Sequence, residues 1–344
     1  MKLFGVFFLL SLIGLLSVQS FDNEGEFKKI EIPLTSLEEV RLSLGGEKLN
    51  HAIEKTDPLK AKYGLELIRN GQVKRKLLKS RIISPYFVCT DCHNLGREFE
   101  KANDQDPASR LAYAQKNNLA FLPGSTFWGI YNRTSFYNGD YIKKYGDLIT
   151  KAKKSLPESI QICAKYCSAG RTLKDWEVEA IMHYFKAMEL SIMDVNLTNN
   201  QIKNARVVGQ LDAEEKANLL IELEKSYVQG YSAHFDEAMP REKRKYGEGG
   251  NAETGKFIYN NACLSCHKDG RVTFLKLDSD KLSAQMFVNH MEGYSDKSAY
   301  QIIRYGTYTM AGRNQYMPRY TKEKMNDEQI NDLMVYIRQL ARNK

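Results

Sequence analysis

At 344 residues the chain is long enough for two to three domains, each able to bury its own core. Its 42% hydrophobic and 27% charged residues are ordinary for a soluble globular protein. The formal net charge is +8, but Lys and Arg are spread along the chain and no dense basic block with interleaved aromatics occurs, which argues against a nucleic-acid partner.

Residues 1–20 read as a targeting segment. Lys2 supplies a positive start, Leu3 to Leu16 is apolar, and Val18-Gln19-Ser20 offers residues suited to signal peptidase. Cleavage near Ser20 would release an exported, periplasmic chain. An uncleaved membrane anchor is the competing reading. After Ser20 no apolar run approaches the ~20 residues of a transmembrane helix, so none is expected in the mature chain. Export also places the cysteines in an oxidising compartment.

Residues 21–59 form a polar N-terminal extension, with one strand-like stretch at Ile30-Glu-Ile-Pro-Leu34. From Lys60 a helical rhythm of apolar residues runs through Ala61, Tyr63, Leu65, Leu67 and Ile68, and Gly71 is placed to stop it. Then comes Cys89-Thr-Asp-Cys92-His93, and the pattern recurs at Cys263-Leu-Ser-Cys266-His267. Two thiols spaced i, i+3 can each form a thioether to a haem vinyl group, and the adjacent imidazole then becomes an axial iron ligand. The rival is zinc: Cys89, Cys92, Cys163 and Cys167 could make a Cys₄ site, but Cys263, Cys266 and His267 would then lack a fourth partner. Two covalently bound c-type haems are therefore expected. Their propionates would leave the holoprotein only mildly basic.

Residues 94–160 read as a loop-rich insert with Phe121-Leu-Pro-Gly124, Phe127-Trp128-Gly-Ile-Tyr131-Asn-Arg133 and Tyr137-Asn-Gly139. These aromatics could line the haem edge or form a small core of their own. Cys163 and Cys167 follow as C-x-x-x-C. Thr172 and Asp175 suggest a helix start, with Ile181, Tyr184, Phe185 and Met188 on one face. Met188 belongs to that apolar stripe, and nothing in their positions favours Met182 or His183 as ligands. Residues 193–245 are charged and helix-prone, with the best helix after Asp212 and a glycine-rich end at Gly250; His234 reads as a surface residue. Asn251 could cap a helix leading into Cys263, and Asn326-Asp-Glu-Gln329 starts the last helix, with Ile330, Leu333, Met334 and Ile337 buried.

The stretch from Gly250 onward resembles a mono-haem class I cytochrome c domain, through Asn261-Ala-Cys263-x-x-Cys266-His267 and Tyr316-Met317-Pro318 ahead of the last helix. The resemblance implies His267 and Met317 as the axial pair, with Met310 competing for the second place. A thioether opposite His raises the reduction potential and closes the iron to substrate, which suits electron transfer. The first half is similar to the N-terminal haem domain of thiosulfate dehydrogenases and to the haem subunit of the sulfur-oxidation thiosulfate complex. The similarity runs through Tyr63-Gly-Leu-Glu-Leu-Ile-Arg-Asn70, the first motif, Trp128-Gly-Ile-Tyr131-Asn-Arg133, Ile160-Gln-Ile-Cys163 and Gly170-Arg171. It implies His93 and Cys163 as the axial pair of the first haem. The chain departs from those families after Cys163, at Tyr166-Cys167-Ser168-Ala169.

The expected fold is mainly α. Two cytochrome c-type helical domains, 60–195 and 250–344, are each wrapped around a covalent haem and joined by a helical connector, 196–249. Two functional readings stand side by side. In one, a small thiosulfate-like sulfur anion is oxidised at the first haem near Cys163, with Arg133, Lys165 and Arg171 holding the anion. Electrons then leave through the second haem to a redox protein partner. In the other, the chain is a non-catalytic electron carrier and Cys163 and Cys167 form a disulfide.

Overall fold

The computed structural model describes residues 18–21, 27–30, 36–74, 79–228, 230–234, 237–268, 277, 284–289, 298–306 and 317–342. The fold is mainly helical. The strand content includes a short antiparallel ribbon of β1 (Val18–Phe21) and β2 (Phe27–Ile30). The apolar run Leu3–Leu16, the rest of the strand-like stretch after Ile30, and Met310 lie outside the described residues. Among the described residues no helix is long and apolar enough to cross a membrane.

Each half is built on a crossed pair of helices. In the first, α2 (Pro58–Asn70) is capped by Asp57, whose carboxylate accepts from Leu59 N and Lys60 N, and it ends at Gly71 in the left-handed region. It crosses α6 (Asp175–Ala187). The crossing is close because Gly64 has no side chain: a Cβ there would lie 2.1 Å from Ala180 O. In the second half, α9 (Ala252–Ile258) is capped by Asn251 and crosses the terminal helix, Asp327–Arg342. Gly255 plays the same part, with an added Cβ 1.9 Å from Asp332 O. Asn326 and Gln329 cap the terminal helix reciprocally, each side chain accepting from the other's backbone N–H. Gly64→Ala and Gly255→Ala are each expected to lower stability by about 1–3 kcal/mol, because backbone cannot yield as a flexible side chain does. Denaturant melts of the two variants check this.

Several elements differ from the expectation. The helix expected to start at Thr172 begins at Asp175, because the Glu177 carboxylate accepts from Lys174 N and is clamped by Arg171. The insert 94–160 is not mostly loop. It contains α3 (Pro107–Asn117), capped by Asp106 and started by Pro107. Leu111, Ala114 and Phe121 of this segment are buried in the core that includes Ile258, Tyr259 and Ile330 of the C-terminal half. The connector is helical, as expected, and it is packed as well. Leu219, Leu223 and Tyr227 share a core with Leu37, Val40 and Leu44 of the N-terminal extension and with Leu190.

The two halves are joined directly. Phe121 N donates to Asn261 O at 2.8 Å, and Tyr320 OH donates to Phe121 O at 2.9 Å. A buried ion cluster lies beside them. Glu98 accepts from Arg110 Nε and Nη2 at 3.2 and 3.0 Å and from Lys324 Nζ at 3.1 Å.

Candidate functional site

The first motif forms a tight turn. Cys89–Asp91 is one turn of 3₁₀ helix, held by the Asp91 carboxylate accepting from Val88 N at 2.7 Å. Cys89, Cys92 and His93 line a cavity of about 320 Å³. The imidazole of His93 stacks on Phe127 with ring centroids 4.6 Å apart. His93 Nδ1 lies 2.5 Å from Ser125 O, so Nδ1 carries the proton and donates, leaving the lone pair on Nε2 for a metal. Burial pushes the imidazole pKa down, which favours the neutral, ligating form. Gly124 permits this packing: a Cβ there would sit 2.6 Å from His93 Nδ1 and from Cys92 O. Burial also pushes the Cys89 thiol up to about 12, so it is neutral.

The far wall carries the other cysteines. Helix α5 (Leu156–Ile162) runs into a π-helical turn, Cys163–Cys167, closed by Ser168 N donating to Cys163 O at 2.9 Å. Such turns occur often at functional sites. Both thiols line the cavity that holds the first motif. The two thiols are close enough to shift each other's protonation. Tyr145 OH lies 3.2 Å from Cys167 Sγ and Tyr137 OH 3.9 Å from it. The Cys163 thiol, these hydroxyls and nearby Lys144 outweigh burial and favour the negative charge on Cys167, while Cys163 is held protonated, its pKa well above the usual thiol range. Cys163, the ligand the resemblance implies, and Cys167 thus share one wall of the cavity. Tyr137, Tyr141 and Tyr145 recur every fourth residue and pack ring to ring. Tyr137 was among the aromatics expected to line the haem edge; the four-residue spacing was the readable signal for Tyr141 and Tyr145 beside it.

The three cations expected to hold an anion part company. Arg133 lines the cavity, its guanidinium between the rings of Tyr227 and Tyr231 at 4.3 and 4.4 Å. Lys165 is exposed and lies over the Tyr166 ring. Arg171 is committed to Glu177 and to the carbonyls of Arg81 and Ile82. Neither Lys165 nor Arg171 lines the cavity; Lys144, Arg319 and Lys324 do. Met182 is buried, Met188 packs against the first core, and His183 Nδ1 accepts from Asp57 N, as expected for residues outside the site.

At the second motif, a π-helical turn, Tyr259–Cys263, leads into the short helix Leu264–His267. Cys263 and Met317 pack on the same core cluster. Burial pushes the Cys263 thiol up to about 12. The two motifs meet: Cys266 Sγ lies 3.9 Å from Asp91 O. Among the described residues, no group of three or more His, Cys, Asp or Glu side chains is arranged to hold a bare metal ion. The first cavity does suit a porphyrin, with paired thiols and an imidazole on one side and apolar walls from Ile181, Leu156 and Phe185.

Residues 250–337 match the family model described as cytochrome C oxidase, cbb3-type, subunit III. The C-terminal segment is a cytochrome c domain. Such a domain carries a covalently bound c-type haem and serves electron transfer. No curated protein and no solved structure matches the chain.

Proposed function

We propose that the chain is an exported di-haem c-type cytochrome that oxidises a small sulfur anion of the thiosulfate class. The first haem is held by Cys89, Cys92 and His93, and the second by Cys263, Cys266, His267 and Met317. The observation that carries this reading is that Cys163 and Cys167 face the first motif within one cavity. The haems, when bound, supply one-electron redox chemistry. The chain's own residues do the rest. Arg133, Lys144 and Arg319 give the cavity the positive charge an anion needs. Tyr145 and Tyr137 orient Cys167. The contact of Cys266 with Asp91 supports a short path between the two sites. A redox protein partner then accepts the electrons.

A reading as a plain electron carrier is favoured by one observation, the placement of Cys163 and Cys167 on one π-helical turn, which would suit a structural disulfide. Thiosulfate oxidation with an artificial one-electron acceptor separates the two. The expected result is turnover that falls by roughly 100-fold or more in Cys163→Ala, the order found when a group at the reacting atoms is removed. Absence of turnover in the parent protein would overturn the substrate class.

A further inference from the structure

A single cysteine suffices as an iron ligand, yet the cavity wall presents two. Cys163 and Cys167 lie on one π-helical turn, and both line the cavity of the first motif. The Tyr145 and Tyr137 hydroxyls lie 3.2 and 3.9 Å from Cys167 Sγ and help hold that sulfur in place. Two thiols on one turn are within reach of disulfide closure. Closing that bond releases two electrons. The second motif adjoins the first, with Cys266 Sγ 3.9 Å from Asp91 O. Two one-electron acceptors would thus stand beside a two-electron donor.

We propose that Cys163 and Cys167 form a reversible dithiol/disulfide couple that collects two electrons from small thiol-level sulfur compounds and delivers them singly to the two haem sites. The inference rests on the di-haem reading above. In the first step the Cys163 and Cys167 thiols join; the S–S bond forms, two protons leave, and two electrons pass out singly, which bound ferric haems would accept. In the second step a substrate thiolate attacks the disulfide and releases one cysteine. A second substrate thiolate then attacks the mixed disulfide and releases the other. The sum is two thiols converted to one disulfide and two protons, with two irons reduced. The dithiol form can place a thiolate toward the iron and the disulfide form cannot, so the ligand set of the first haem follows the state of the pair.

The test uses the purified holoprotein in dithiothreitol buffers of graded redox poise, with thiol trapping and intact-mass measurement. The expected result is two trapped thiols at the reducing end, none at the oxidising end, and a single two-electron transition between them. A thiolate signature in the electron paramagnetic resonance spectrum should disappear across the same transition. Cys167→Ser should retain its haem and show one trapped thiol throughout; Cys167→Ala guards against a folding artefact. Two free thiols at every poise would overturn the proposal, and so would a disulfide that never reduces. Haem content, read from the same mass spectra, tests the di-haem reading separately.

Discussion

Glu98→Gln is expected to be among the most destabilising single substitutions in the chain, by about 3–5 kcal/mol. The Glu98 and Arg110 side chains are only 2% and 1% exposed, and Lys324 closes the cluster at 15%. Removing the carboxylate's charge leaves two buried cations facing each other without compensation. Arg110 has further ties that would fix it in place: it donates to Leu122 O at 2.6 Å and to Lys324 O at 2.8 Å, and it lies over the Phe121 ring. The damage should fall on the junction of the two halves, because Lys324 comes from the C-terminal side and Glu98 and Arg110 from the insert. Denaturant melts measure the loss. Replacing all three residues together by apolar side chains of similar volume should be far milder, since the desolvation cost then disappears with the charges.

The same cluster sets an acid limit. Burial raises the Glu98 pKa, but Arg110 and Lys324 outweigh it and hold the carboxyl down at about 2 against an ordinary 4.5. A depressed carboxyl contributes stability above its unfolded pKa and loses that contribution as pH falls through its folded value. The junction is therefore expected to weaken between about pH 4.5 and 2. Lys324 titrates in the opposite sense: burial lowers it to about 8, so its charged form costs stability below that pH. The net pairing at neutral pH favours the cluster because Glu98 is held by two cations and by Asn94 Nδ2 at 2.8 Å.

The second large effect concerns the first haem's far side. Removing the thiolate ligand, by Cys163→Ala or by Cys167→Ala, should abolish the low-spin signal of thiolate character in the oxidised protein and raise the potential of that site, because an anion stabilises ferric iron. Since the charge of the pair is favoured on Cys167, the same spectrum is needed for Cys167→Ala. The variant that loses the signal identifies the ligand. A spectrum unchanged in both variants and in the double variant would remove the thiolate from the account.

Much of this was readable from the residues. The two Cys-x-x-Cys-His motifs stand out by spacing, and the caps at Asn251, Asp212 and Asn326 stand where their side chains predict. Helix α3 was missed although Asp106-Pro107 is a strong start, because the aromatics and glycines around it suggested loop. Its burial against the C-terminal half depends on contacts such as Gln329 Nε2 to Pro107 O, 222 residues apart, which no local pattern encodes. Arg133 lines the cavity as expected, but Lys165 and Arg171 do not, for a related reason. Arg171 lies close to Cys163 in sequence, but the helix start at Asp175 turns it onto Glu177. Lys144 and Arg319 reach the cavity from distant segments. Gly64 and Gly255 hold matching places in the two crossings, and that match became visible only once the helices were in contact.

The account stands or falls on a haem at the first motif. The direct measurement is peptide mass mapping of the protein produced with cytochrome c maturation, together with total haem quantitation. The account predicts two haems per chain, with the Cys89–Cys92 peptide and the Cys263–Cys266 peptide each carrying one through thioether bonds. One haem per chain, with Cys89 and Cys92 recovered as free thiols, would contradict it.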